Sequence, residues 1–174
     1  GEFATVYRGV LHGHAVAVKR ANVAVGAAPE QVVEDELVRE VAAWHELDHP
    51  NIVRFIAACQ EGSHRLIVTE LVPGGNLCCL LHERRQPLHH GSAVQICKQV
   101  AEALCYLHGL SPALVHRDIK SLNILLDSSL GIKLCDFGLA DWLVRGRLPV
   151  DRNGGSPRYM APEILAGYAM NEKV

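Results

Sequence analysis

The sequence predicts an α+β protein in which a strand-rich first part leads into a mainly helical second part. Three stretches carry that prediction. "TVYRGVLHGHAVAVKR" alternates apolar and polar residues on both sides of the turn His12-Gly13-His14, the mark of a β-hairpin. From Glu30 to about Leu47 the apolar residues Val33, Leu37, Val41 and Trp44 recur at helical spacing. At Val72-Pro73-Gly74-Gly75 the alternating pattern stops, and helical periods dominate the chain beyond it.

Between the hairpin and the first helix, "ANVAVGAAP" reads as a small-residue connector. Pro29 followed by acidic residues gives that helix an N-terminal signal, and Pro50 lies just past its end. Two strands are expected at Ile52–Cys59 and Arg65–Leu71, joined by a polar turn over Gln60–His64. Helices are expected at Asn76–Glu83 and Ser92–His108. In the second of these Val94, Cys97, Ala101, Leu104 and His108 form the expected buried face. Short strands at Ile124–Leu126 and Ile132–Cys135 complete the reading.

Bulk properties narrow the function classes. At 174 residues the chain is long enough to bury a core and matches one domain. Seventeen basic against 19 acidic residues give a net charge of −2, which offers no basic field for nucleic acid or an anionic membrane. No apolar run approaches the ~18 residues of a membrane span, and no signal peptide is visible. Six cysteines without CxxC spacing favour reduced thiols in the cytoplasm over disulfides or a zinc cluster.

The densest chemistry lies in "HRDIKSLN", residues 116–123, wedged between the apolar pairs Leu114-Val115 and Ile124-Leu125. Thirteen residues beyond Asn123 stands Asp136-Phe137-Gly138, directly after an expected strand. Asp118, Asn123 and Asp136 can thus converge at neighbouring strand ends. Their oxygens are hard donors of the kind Mg²⁺ takes when substrate phosphates complete its shell. Lys120 can neutralise charge on a transferring phosphoryl group, and Asp118 can accept the proton of a hydroxyl. Far upstream, Lys19 ends the strand "AVAVK", where its ammonium can reach phosphates.

These pieces together resemble a eukaryotic protein kinase catalytic domain, and the similarity covers nearly the whole chain in the family's order. "GEFATVYRG" resembles the later part of the glycine-rich loop, "VAVK" the lysine strand, and "REVAAWHELDHPNIV" the regulatory helix. "VTELVPGGNL" resembles the hinge, while "HRDIKSLN", "DFG" and "GSPRYMAPE" match the catalytic loop, metal loop and substrate-docking segment. Seven such motifs in register are far more specific than any one of them. The resemblance implies a bilobal fold with an N-lobe at 1–71, a hinge at 72–75 and a C-lobe at 76–174, covering part of a longer domain. It implies transfer of the γ-phosphoryl group of ATP to a protein, with Mg²⁺ as cofactor. Asp118 is then the base with Lys120 beside it, Lys19 pairs with Glu40 and holds the phosphates, and Asn123 and Asp136 take the metal. The nucleotide would lie against Gly1, Phe3, Ala4, Val6, Ala17, Thr69 and Leu125, with backbone groups of Glu70 and Val72 holding adenine. Ala4 departs from the pattern by standing where the family usually has a glycine. Phe137, Trp44, Phe55 and His116 are expected to form an apolar stack between the lobes.

Lys120 and "GSPRY" are similar to serine/threonine kinases, and "DIKSLNILL" with "NEKV" resembles the tyrosine-kinase-like group of Raf-type and mixed-lineage kinases. Between Gly138 and Ser156 the segment "LADWLVRGRLPVDRNGG" has no Ser, Thr or Tyr. Kinases of this type often order that segment by a phosphate paired with the arginine before the loop aspartate. The resemblance therefore leaves two readings of Asp151: it pairs with Arg117 in place of a phosphate, or it is a solvated loop residue beside Arg152. The resemblance also implies weak stability for these 174 residues alone, because the family's C-lobe continues further.

Two rival readings stand beside this one. A non-catalytic scaffold of the same fold usually lacks an equivalent of Lys19, Asp118 or Asp136, and all three are here. "HELDH", residues 45–49, fits the H-E-x-x-H zinc-protease pattern. That chemistry needs both histidines on one continuous helix, and Pro50 biases His49 out of the α region. Cys97 and Cys105 are expected in the helix core and Cys135 as a buried thiol. His12, His14, His89 and His90 are expected in turns and loops.

Overall fold

The computed structural model describes residues 4–21, 30–61, 64–83, 87–146, 148, 155–168 and 171–173. Strands β1 (Ala4–Leu11) and β2 (His14–Ala21) form the predicted hairpin. His12 (φ 48) and Gly13 (φ 82) turn it through two successive left-handed residues, which match the right-handed twist of the strands. Helix α1 (Glu30–Trp44) follows, then β3 (Phe55–Glu61) and β4 (His64–Glu70). The four strands make one antiparallel sheet in the order β1-β2-β4-β3.

Helix α1 ends at Trp44 rather than near Leu47, and both strands after it differ in their bounds from Ile52–Cys59 and Arg65–Leu71. Ile52 is not in β3 but bridges Leu134 in the second half of the chain, and the strand starts at Phe55 with an irregularity before Ala57. The bulge lets the chain change partner from the C-terminal half to the sheet. Gln60 and Glu61 pair with Arg65 and His64, so the turn is shorter than the polar residues imply.

Beyond Glu70 the chain meets the second half closely. Gly74 N–H donates to the Leu126 carbonyl at 2.8 Å and Leu126 N–H donates to that of Gly75 at 2.8 Å. A Cβ on Gly74 would run into the Leu126 carbonyl, and Gly75 has φ +79, so both glycines are required by backbone geometry. Helix α2 (Leu77–His82) is capped by Asn76, whose Oδ1 accepts from Cys79 N–H at 2.9 Å. Helix α3 (His90–His108) is followed by short strands β5 (Leu114–Val115), β6 (Ile124–Leu126), β7 (Ile132–Leu134) and β8 (Asp141–Trp142), and by α4 (Pro162–Leu165). β6 pairs with β7, and β5 with β8. The result is a two-lobed arrangement, sheet first and helices later.

The core joins both halves: Leu37 and Trp44 of α1, Ile52, Val53 and Ile67 pack with Leu107, Leu114, Leu134 and Phe137. Helix α3 buries Ile96, Ala103 and Leu107, not the face predicted. Val94 is exposed, and so are Cys97 and Cys105, which corrects their assignment to the core. Gln99 marks the buried side, since its Oε1 accepts from Asn51 Nδ2 at 3.0 Å and from Ile132 N–H at 2.8 Å. His14 opens β2, while His89 immediately precedes α3 and His90 opens it, so these three belong to element starts as much as to loops.

Candidate active site

The sheet brings the first candidate residues to one face. Residues directly opposite in antiparallel strands point the same way, as do residues two apart. Ala4 faces Ala21, Val6 faces Lys19, and Ala17 faces Thr69, so Ala4, Val6, Ala17, Lys19 and Thr69 share a face. Thr69 is buried and its hydroxyl donates to the Glu70 carbonyl at 3.2 Å. Val72 and Leu125 are half-buried against the core. The Glu70 side chain is engaged elsewhere, accepting from Arg54 N–H and Lys133 Nζ at 2.8 Å each. Gly1 and Phe3 lie outside the described residues.

Lys19 is the hub of the charged groups. Its Nζ lies 2.6 Å from Glu40 Oε1 on α1 and 2.6 Å from Asp136 Oδ1 after β7. Burial works against the ammonium, but the two carboxylates outweigh it and hold the group above the usual lysine range. Burial likewise disfavours charge on Asp136, and the adjacent Lys19 outweighs it, holding that carboxyl low. For Glu40 burial wins, so its carboxyl stays above the usual range despite Lys19. Three residues distant in sequence, on a strand, a helix and a loop, are thus tied by one ammonium.

The second group is Asp118 with its neighbours. Asp118 Oδ2 is held by Lys120 Nζ at 2.6 Å and by Asn123 Nδ2 at 3.0 Å; the same amide also donates to the Asp118 carbonyl at 2.9 Å. With its NH₂ committed to Asp118, Asn123 has a carboxamide oxygen left as an acceptor. Asp118 Oδ1 accepts from the Ser156 hydroxyl at 3.0 Å, and Lys120 Nζ donates to that hydroxyl at 3.0 Å. The resemblance puts Ser156 in the expected substrate-docking segment, but no spacing rule signals its direct bond to Asp118 across 38 residues.

His116 links the two groups. Buried to 1% exposure, it packs on Phe137 with ring centroids 4.9 Å apart, and Phe137 packs on Trp44 at 5.1 Å. Phe55 is half-buried against the same core. His116 also bonds: Nδ1 accepts from Asp118 N–H at 3.3 Å and Nε2 meets the Cys135 carbonyl at 3.1 Å. A backbone N–H on Nδ1 and a carbonyl on Nε2 fix the neutral tautomer with the proton on Nε2. Burial favours that neutral form by lowering the pKa. The histidine therefore bolts the loop carrying Asp118 to the residue before Asp136, a bonding role beyond the packing expected of it. Cys135, expected as a buried thiol, is only half-buried against the core; the burial it has, then Asp136, pushes it up to about 12.

Arg117 is buried with Nη1 3.9 Å from Asp141 Oδ2 on β8. Asp141 was not singled out from sequence, and Asp151 lies outside the described residues. The zinc-protease pattern is not realised: α1 ends at Trp44, and His49 stacks on Tyr106 at 5.1 Å. Among the described residues no three His, Cys, Asp or Glu side chains are grouped to hold a metal. A pair such as Asp136 and Asn123, one carboxylate and one free carboxamide oxygen, fits a hard cation whose other ligands are water and phosphate, and does not fit a closed protein cage. No described helix is long and apolar enough to cross a membrane.

Comparison with known proteins agrees with this arrangement. A probable serine/threonine-protein kinase of Dictyostelium discoideum is 37% identical over 174 residues, 100% of this chain and 18% of that protein. The serine/threonine-protein kinase CTR1 of Arabidopsis thaliana is 39% identical over 175 residues, 99% of this chain and 21% of CTR1. The dual specificity protein kinase shkC of Dictyostelium discoideum is 37% identical over 174 residues, 99% of this chain and 34% of shkC. The chain thus spans about a fifth to a third of the length of these relatives. The protein kinase domain pattern matches residues 1–174, and with the ordered motifs and the two charge clusters that they form, the chain belongs to the protein kinase domain family.

Proposed function

We propose that this chain is the catalytic unit of a cytoplasmic serine/threonine protein kinase in signalling, moving the γ-phosphoryl group of ATP to a protein hydroxyl. The observation that carries this reading is the pair of preassembled clusters: Lys19 between Glu40 and Asp136, and Asp118 between Lys120 and Asn123. Phosphoryl transfer needs little covalent help from a protein. It needs positioned charge, and both clusters supply it.

Residues 1–71 form the strand-rich lobe in this reading, 72–75 the hinge and 76–174 the helical lobe. Adenine lies on the sheet face of Val6 and Ala17 with Gly1, Phe3, Ala4, Thr69 and Leu125 around the nucleotide, and meets the backbone of Glu70 and Val72. Lys19, positioned by Glu40, binds the α- and β-phosphates. Asp118 receives the proton of the acceptor hydroxyl, and Lys120 stabilises charge on the moving phosphoryl group. Asp136 and Asn123 would hold Mg²⁺, which when bound would supply neutralisation of phosphate charge. Lys120, two residues after Asp118, supports Ser or Thr as acceptor. The six free cysteines are in keeping with a reducing compartment.

The test uses the full-length protein with dephosphorylated casein as acceptor. Asp118→Asn is expected to lower kcat by roughly 10²–10⁴, the usual worth of a positioned base, while a fluorescent ATP analogue still binds. Removing Mg²⁺ with EDTA should stop transfer in the parent. An Asp118→Asn enzyme with parental kcat would overturn the assignment, and phosphotyrosine as the main product would overturn the Ser/Thr reading.

A further inference from the structure

The segment that carries Ser156 is fixed to the Asp118 loop at several points. Gly155 adopts φ +115 and lies so close to Met160 and the Arg117 carbonyl that a Cβ there would meet both. Ser156 accepts Tyr159 N–H at 2.8 Å through its carbonyl, closing a turn, and the Tyr159 hydroxyl lies 3.1 Å from Ser121 Oγ. Between these anchors the Ser156 hydroxyl is held on two groups at once. It donates to Asp118 Oδ1 at 3.0 Å and accepts from Lys120 Nζ at 3.0 Å. The other carboxylate oxygen of Asp118 is already taken by Lys120 and Asn123. The oxygen that remains for an acceptor hydroxyl is therefore the one on which Ser156 rests.

A hydroxyl hydrogen-bonded to a general base, with a cation beside its oxygen, is a nucleophile in its reacting environment. Holding it there by the chain itself replaces a bimolecular encounter with an intramolecular one, which raises its effective concentration by orders of magnitude. We propose that Ser156 is a phosphorylation site modified in cis by this same chain; the proposal rests on the kinase reading above. In the step, the bond from Ser156 Oγ to the γ-phosphorus forms and the bond from that phosphorus to the β–γ bridging oxygen breaks. The hydroxyl proton passes to Asp118 Oδ1, and ADP leaves. The product places a group of about −2 charge next to Asp118 and Lys120. It repels the carboxylate, captures the ammonium and blocks the place of an incoming hydroxyl, so the modification switches transfer off.

The experiment uses full-length protein freed of phosphate, verified by intact mass, and incubated with Mg²⁺ and ATP, with casein transfer followed in parallel. The expected result is phosphate on Ser156 by peptide mass spectrometry, at a first-order rate that does not change on dilution of the enzyme. Casein transfer should fall in proportion to Ser156 occupancy and recover on phosphatase treatment. Ser156→Thr should take phosphate at the same position. Casein transfer without phosphate at Ser156 overturns this inference and leaves the kinase reading standing. A rate that falls with dilution overturns modification in cis. Transfer to neither acceptor overturns the kinase reading and this inference with it.

Discussion

Replacing Lys19 with methionine isolates what its ammonium does for the fold. The stem keeps its place on β2, but Glu40, at 8% exposure, loses its cation and faces Asp136 and Glu36. Removing one partner of a buried ion pair costs about 3–5 kcal/mol when the other must stay charged. Glu40 can avoid that cost by taking a proton, and burial already holds its carboxyl above the usual range. The loss is therefore pH-dependent with a definite sign. A group whose pKa is raised on folding stabilises below its unfolded value and loses that contribution as pH rises through the folded one. Without Lys19 the raise becomes larger, so Lys19→Met is hurt more at pH 8 than at pH 5. In the parent Lys19, raised on folding, contributes evenly across this window and is lost only in strong base. Asp136, held low there by Lys19, loses that support in the variant, and its burial then adds to the loss in the same sense, more at pH 8 than at pH 5. His116, lowered by burial, weakens the fold as pH falls, but equally in parent and variant, so it cancels in the difference. For a chain of this size about 3 kcal/mol is a Tm decrease of roughly 6–12 °C at pH 8, and less than half of that is expected at pH 5. Thermal unfolding followed by circular dichroism at both pH values measures it. Lys19→Met with Glu40→Gln should recover the Glu40 share of the pH 8 loss and leave the Asp136 share. A decrease of equal size at both pH values, or none, would refute the reasoning.

Phe137→Leu removes two ring contacts from a side chain at 0% exposure. A cost of about 2 kcal/mol is expected, lowering Tm by roughly 4–8 °C, and a change below about 1 °C would show that the stack is not a structural joint. Reactivity of the cysteines follows thiolate and access: with its thiol pushed up to about 12, Cys135 should alkylate last with iodoacetamide at pH 7.4, well after the exposed Cys97 and Cys105. Peptide mass spectrometry over time reads the order, and early loss of Cys135 would contradict its burial.

What was legible in the sequence divides by the physics behind it. The β1–β2 hairpin and α1 were readable because one local signal, strict alternation about a turn or one apolar stripe, had no competitor. Helix α3 was misread because its sequence is apolar on two sides. Ile96, Val100, Ala103 and Leu107 satisfy helical spacing as well as Val94, Cys97, Ala101 and Leu104 do. The choice between them is made by Asn51 and Ile132, which bond Gln99 from distant segments. The start of β3 was missed for a similar reason: Ile52 is as apolar as a strand residue, but its partner is Leu134 rather than the sheet.

The charged site shows where local signals end. Lys19 and Asp136 are 117 positions apart, and only the order of motifs, through family resemblance, brought them together on paper. Ser156 on Asp118 and Arg117 beside Asp141 lay beyond even that, since each depends on how a returning segment lands. The backbone shows how costly the landing is. Arg117 and Asp136 both hold left-handed φ, 65° and 69°, at residues where glycine would be free of strain. Each such residue costs of order 1–3 kcal/mol, and glycine at either position would remove a charge that the site uses. The strain is offset by His116, which accepts from Asp118 N–H and donates to the carbonyl of Cys135, the residue preceding Asp136. The charges can be held in reach of each other because a neutral, buried histidine and the Phe137–Trp44 stack below it over-determine two backbone conformations that neither loop would adopt alone.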